Sequence, residues 1–398
     1  MAGDLEPPGE ARDQLETRAR ALLEEAPLVD GHNDVPWQYR QRFGLDLEAH
    51  SLRDTTDTDP LMHTDLTRLA AGGVGAQFWS VYVPMRYEAA DAVQKVVEQL
   101  DFVHRMAAMY PELEIALTAD DVARIHAEGR VASLMGVEGG HCINNSLAVL
   151  RQLHTLGARY MTLTHSRNVS WADSATDAPL NNGLSSFGEE VVREMNRLGM
   201  VVDLSHVSAD VMRHTLDVTR APVMFSHSSA FAVSAHPRNV PDDVLKRVAE
   251  NGGVVMVNFL PAYVSEALRR HEQERDAVHD QALIDNLGDR AAVSVVMTAW
   301  DAAHEAPKAT LAQVADHIDH IRDVAGVDHV GLGSDFDGMN GTPVGLESVA
   351  DYPALLGELL RRGYSEEDVK KVAGLNALRV LRAVEAVAAE QAADDSAP

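Results

Sequence analysis

Six times in this chain, a short apolar run ends in a side chain that can hold a metal ion or move a proton. Residues 28–29 lead into Asp30, His32 and Asp34, and residues 131–137 end at Glu138. Residues 160–164 end at His165, 200–205 at His206, 222–226 at His227, and 330–334 at Asp335. These groups are spread over some three hundred positions (residues 30–335), so only a fold that gathers strand ends can make them one site. A ring of parallel strands, each delivering a polar side chain from its C-terminal end, does that.

The spacing of the runs supports the same architecture. Apolar or β-branched segments fall near residues 28–33, 75–83, 131–138, 159–165, 200–206, 222–227, 253–258 and 329–335. Most lack apolar/polar alternation, as strands buried on both faces do. Helical patterns separate them, for instance at residues 90–109, 188–198, 209–218 and 242–250, after a charged amphipathic segment at 10–25. Eight strands alternating with helices predict an α/β fold, a (β/α)8 TIM-like barrel. A doubly wound open sheet would need a glycine-rich phosphate loop after its first strand, and none is present. At 398 residues the whole chain (1–398) reads as one catalytic domain, since no Pro- or Ser-rich linker divides it. A helical insertion is expected at about 264–310, either a lid over the face that carries the site or a purely structural flap, and a frayed acidic tail at about 383–398.

A formal net charge of −27 disfavours nucleic acid and anionic lipid as partners. Cys142 is the only cysteine, so the fold does not depend on a disulfide. The first residues lack a basic segment followed by an apolar one, and no run approaches the ~18 apolar residues of a membrane span. The expectation is a cytoplasmic protein with no membrane partner.

His32 and Asp34 are two apart, so an extended chain places both on one side, where they can chelate one cation. Glu138 comes from another strand and offers a carboxylate able to bridge two cations. His206 and His227 follow neighbouring strands and would complete a second site. Nitrogen and carboxylate donors suit Zn²⁺ and also admit Mn²⁺, Co²⁺ or Fe²⁺. Taken singly, each residue has a plainer reading: a hydrogen-bonded structural histidine, a helix cap at Asp34, a solvated carboxylate at Glu138. Their joint appearance at strand ends favours the metal. Ser226 and Ser228 flank His227 without a Gly-x-Ser-x-Gly elbow, so a serine hydrolase is not indicated.

Seven strings, in order from residue 30 to 338, carry a resemblance: DGHNDVPW (30–37), GVEGGH (136–141), LTHS (163–166), DLSHVS (203–208), SHSSA (226–230), RNVPDD (238–243) and GSDFDG (333–338). The chain resembles the renal (membrane) dipeptidase family, peptidase family M19, a branch of the amidohydrolase-like barrels, and reads as a soluble bacterial member. The resemblance implies a binuclear zinc metallo-dipeptidase with two Zn²⁺ per subunit. His32 and Asp34 would bind the first zinc, Glu138 would bridge, and His206 with His227 would bind the second. It also implies His165 at the scissile carbonyl oxygen, Arg238 at the substrate's terminal carboxylate, Tyr263 as a further substrate contact and Asp335 as acid/base. Members commonly accept a D-residue at the C-terminal position and are often homodimers. Mammalian members are secreted, disulfide-linked and lipid-anchored, features for which this chain has no signals, and its 264–310 insertion is longer than theirs.

The expected chemistry is hydrolysis of free dipeptides, L-Xaa-D-Xaa included, by a hydroxide shared between two zinc ions ~3.5–4 Å apart. Asp335 would shuttle the proton, and a zinc ion with His165 would hold the oxyanion. The Arg238 fork would select a free C-terminus, its plainer alternative being a surface ion pair with Asp242 or Asp243. Arg269 and Arg270 would favour acidic side chains if the insertion covers the cleft. The alternative function is another amidohydrolase-type reaction, such as hydrolysis of N-acyl amino acids.

Overall fold

The computed structural model describes residues 9–87 and 89–396. Its strands are β1 (Leu28–Asn33), β2 (Val74–Tyr82), β3 (Leu113–Ile115), β4 (Val131–Glu138), β5 (Ala158–Thr162), β6 (Val201–Asp203), β7 (Met224–Phe225), β8 (Val254–Val257) and β9 (Val330–Leu332). They run β2-β1-β9-β8-β7-β6-β5-β4, all parallel, and β2 pairs with β4 over residues 76–82 and 132–138, which closes an eight-stranded ring. The fold is the expected TIM-like (β/α)8 barrel. One element was not foreseen. β3 pairs with residues 131–133 of β4, on the edge that β5 takes over from Met135.

Every residue of β1, β6, β7, β8 and β9 is buried, which is why these segments show no alternation in the sequence. The two faces nevertheless pack against different things. Val29, Phe78, Leu134, Tyr160, Val201, Met224, Val254 and Met256 belong to one cluster, shared with Ala377, Leu378 and Leu381. The intervening side chains, such as Leu28, Trp79, Val137, Met161, Val202, Phe225 and Val255, join the larger cluster formed with the surrounding helices. Those helices begin and end where local chemistry dictates: Ser185 caps Ser186–Leu198 through Gly188 N–H, and Gly199 ends it at φ 74°.

The expected fraying beyond about residue 383 is corrected by the helix Asn376–Ser396. Val380 and Val384 are buried four residues apart, with Val387 packed beside them, so an apolar stripe docks this acidic helix on the barrel. The insertion is a two-helix arm, Glu266–Asp285 and Arg290–Ala303. It has its own small apolar cluster of Ala282, Val293 and Met297. Among the described residues no helix is long and apolar enough to cross a membrane.

Candidate metal centre

The strand ends bring Glu138 into the middle of the barrel mouth, where it is 3% exposed. Its two oxygens face different partners. Oε2 accepts from Ser80 Oγ at 3.1 Å and lies 3.4 Å from His32 Nε2. Oε1 lies 2.9 Å from His206 Nε2, 3.5 Å from His227 Nε2 and 3.7 Å from His165 Nε2. A carboxylate so placed can serve two cations at once.

On the first side, His32 Nε2 is 3.4 Å from Asp34 Oδ2, and ligand atoms of His32, Asp34 and Asp335 lie within 4.8 Å of one another. Asp34 sits at the N-cap of the helix Val35–Phe43, but its side chain makes no capping bond, so the plainer reading of it fails. On the second side, His206 Nε2 and His227 Nε2 approach to 2.9 Å. His206 reaches this position from φ 67°, a left-handed turn that aims its side chain into the mouth.

Several groups fit this pocket for cations rather than for an ordinary polar core. Among the described residues, buried His32 Nε2 and Asp34 Oδ1 have no hydrogen-bond partner. Such orphans are costly unless something else satisfies them. Burial drives His206 and His227 well below the ordinary imidazole range, so both are neutral and offer lone pairs. Burial alone would raise Glu138, but His32 and His165 outweigh it and hold the carboxyl well below its usual range. Nitrogen and carboxylate donors with charge to neutralise match zinc-type ions.

The supporting roles of Ser226 and Asp203 were not read from the sequence. Ser226 Oγ donates to Asp203 Oδ2 at 2.7 Å and lies 2.8 Å from His227 Nδ1. With its proton given to Asp203, the Ser226 oxygen accepts from Nδ1–H, which leaves His227 Nε2 as the lone pair. Asp203 also accepts from the backbone N–H of Ser205 and Ser226, at 3.1 and 2.8 Å. The place of Asp203 at the end of β6, three residues before His206, and of Ser226 beside His227, were the signals available.

Asp335 follows β9 at φ 68° and is 8% exposed, with Asn258 Nδ2 donating to its Oδ2 at 3.0 Å. His165 stands at the rim of the cluster, its ring 4.2 Å from His206 and 4.6 Å from Tyr82, and its Nδ1 lacks a partner among the described residues. Arg238 is 1% exposed. Its Nη1 donates to Ser228 Oγ at 3.3 Å and its Nη2 to the His227 carbonyl at 3.2 Å, while Nε has no partner among the described residues. Tyr263, in the short helix Pro261–Val264, lies under the guanidinium, 5.5 Å from its carbon to the ring centre. The surface ion pair considered for Arg238 does not form, because Asp242 pairs with His320 and Asp243 with Arg213. Arg269 and Arg270 both pair with the one Glu266 carboxylate, which holds the two guanidiniums on the arm and offsets one of their two charges.

A family model described as membrane dipeptidase (peptidase family M19) matches residues 16–395. Dipeptidase 3 of Rattus norvegicus is 41% identical over 379 residues, covering 94% of this chain and 68% of its own length. Dipeptidase tcpJ of Claviceps purpurea is 43% identical over 372 residues, covering 91% of this chain and 78% of its own. A metallo peptidase structure from Rhodobacter sphaeroides, liganded with a phosphinate mimic of the dipeptide L-Ala-D-Ala, superposes with a TM-score of 0.74 at 25% identity, covering 90% of this chain and 99% of that one.

Proposed function

This chain belongs to the membrane dipeptidase family, peptidase family M19, and from that premise we propose that it hydrolyses free dipeptides with two zinc ions. The family supports metal-dependent dipeptide hydrolysis. The observation that carries the finer reading is Glu138, one oxygen turned to His32 and the other to His206 and His227. His32 and Asp34 would hold one ion, His206 and His227 the other, with Glu138 shared. When bound, the ions supply Lewis acidity that makes water a usable nucleophile near neutral pH and polarises a carbonyl.

The remaining steps fall to side chains. Burial and the nearby Asp34 and Glu138 push the Asp335 carboxyl up to about 7, against the pull of His32. A group titrating there can take a proton from water during attack and return it to the departing amine nitrogen. Burial keeps His165 below the ordinary imidazole range, and its ring can donate one N–H to the developing oxyanion. Arg238 is a buried cation with no carboxylate of this chain paired to it among the described residues. A substrate's terminal carboxylate would satisfy it, with Tyr263 as the adjoining wall. The phosphinate mimic of L-Ala-D-Ala held by the Rhodobacter sphaeroides relative supports extending the substrates to L-Xaa-D-Xaa.

The test is a kinetic panel on the purified protein, chelated and then reloaded with zinc, using L-Xaa-L-Xaa and L-Xaa-D-Xaa dipeptides beside N-acyl amino acids. Zinc-dependent cleavage of the dipeptides is expected. Turnover confined to the N-acyl compounds would replace this reading with the alternative amidohydrolase one.

A further inference from the structure

Two histidines that face the cluster through Nε2 are braced from behind by different chemistry. His227 leans on Ser226 and the buried Asp203 carboxylate. His32, on β1, is met instead by a side chain from the far side of the barrel: Tyr160 on β5, whose Oη lies 2.8 Å from His32 Nδ1. The same oxygen is 3.2 Å from the Gly31 carbonyl. A carbonyl can only accept, so the phenol proton goes to Gly31 and the phenol oxygen accepts from His32 Nδ1–H. That arrangement leaves His32 Nε2, the partnerless atom near Asp34 and Glu138, as the free lone pair.

The barrel is built to admit this reach. Tyr160 is fully buried, its ring 5.0 Å from Phe78. On β4, Gly136 pairs directly with Tyr160, and a Cβ at position 136 would overlap the Tyr160 ring itself. Gly136 shares the inward parity of Ala132 and Leu134, so its missing side chain is the space the phenol crosses.

We propose that Tyr160, crossing the barrel through the space left by Gly136, is a positioning residue that fixes the tautomer and ring angle of His32 for the cation it would hold. The proposal rests on the two-ion reading above and adds a residue to it. A ring that merely filled the core would need no hydroxyl. Outer partners of metal-bound histidines are typically worth ~10–100-fold in metal affinity.

The experiment compares the zinc-loaded wild type with Tyr160→Phe, which keeps the ring and removes only the oxygen. Zinc extraction by a graded chelator series should show one of the two ions held ~10–100-fold more weakly in the variant. Histidine ¹⁵N spectra of the zinc-loaded wild type, which need no variant, should show His32 carrying its hydrogen on Nδ1. Equal retention of both ions in the two proteins, or a His32 hydrogen found on Nε2, would overturn the role of Tyr160. A wild type that takes up no zinc would instead overturn the two-ion reading on which it stands.

Discussion

Asn258 donates one N–H to Asp335 Oδ2 at 3.0 Å, a polar contact that partly offsets the burial and the neighbouring carboxylates raising that acid to about 7. In the unfolded chain the same carboxyl titrates near its usual value. The folded state therefore binds the extra proton between about 4 and 7, and stability falls as pH rises through that window. Melting the chelated wild type beside chelated Asp335→Asn isolates this term, because His206 and His227 contribute equally to both. The variant should gain on the wild type from pH 4 to 7, by on the order of 4 kcal/mol. A gap that stays flat with pH would show that Asp335 is not the group with the raised affinity.

The same substitution separates turnover from metal holding. With zinc supplied, Asp335→Asn should keep both ions by elemental analysis and lose about 10²–10⁴-fold in kcat. Undiminished kcat would remove Asp335 from proton transfer.

Gly338 lies where an added methyl would overlap Asp34 Oδ2 and Asp335 Oδ1. The Asp34 oxygen is the nearer of the two, so Gly338→Ala should displace this expected ligand. The expected result is zinc uptake weakened at least ~10-fold, beside an overpacking cost of about 1–3 kcal/mol in denaturant unfolding. Wild-type zinc affinity in this variant would mean that Asp34 Oδ2 is not a ligand.

Arg238 has the burial of a recognition group and the partners of an unsatisfied one. Arg238→Met should raise KM for free dipeptides by ~10–100-fold, the usual worth of a charged hydrogen bond, and leave C-terminally amidated analogues nearly unchanged. Parallel effects on both substrates would assign Arg238 to the scaffold.

The two-helix arm keeps its apolar contacts largely to itself, around Ala282, Val293 and Met297. Replacing residues 268–303 by a short polar linker should therefore leave a cooperative melt within a few degrees of wild type. Because Arg269 and Arg270 are both held by Glu266, the preference between acidic and neutral dipeptides should also persist. A shift away from acidic substrates would restore those arginines to the cleft.

Much of this molecule was legible in one dimension because its signals are local. Continuous apolar runs mark strands covered on both faces, and all eight barrel strands lie where such runs occur. β3 escaped notice since three residues beside a helical pattern carry no period to read. The tail misled through its composition. Acidic residues suggested fraying, yet the stripe of Val380, Val384 and Val387 finds a surface only once the barrel exists.

That His32, Asp34, Glu138, His165, His206, His227 and Asp335 would come together could be read from the chain alone, because they stand at the ends of apolar runs and a closed parallel ring sends all such ends to one mouth. Which oxygen of Glu138 faces which histidine, and that Arg238 is buried with no ion pair among the described residues, were settled only in three dimensions. So were the left-handed turns at His206 and Asp335 and the passage of Tyr160 past Gly136. Local pattern fixes which face a residue takes along its own strand. Contacts between strands more than a hundred residues apart depend on closure, and closure is a property of the assembled barrel.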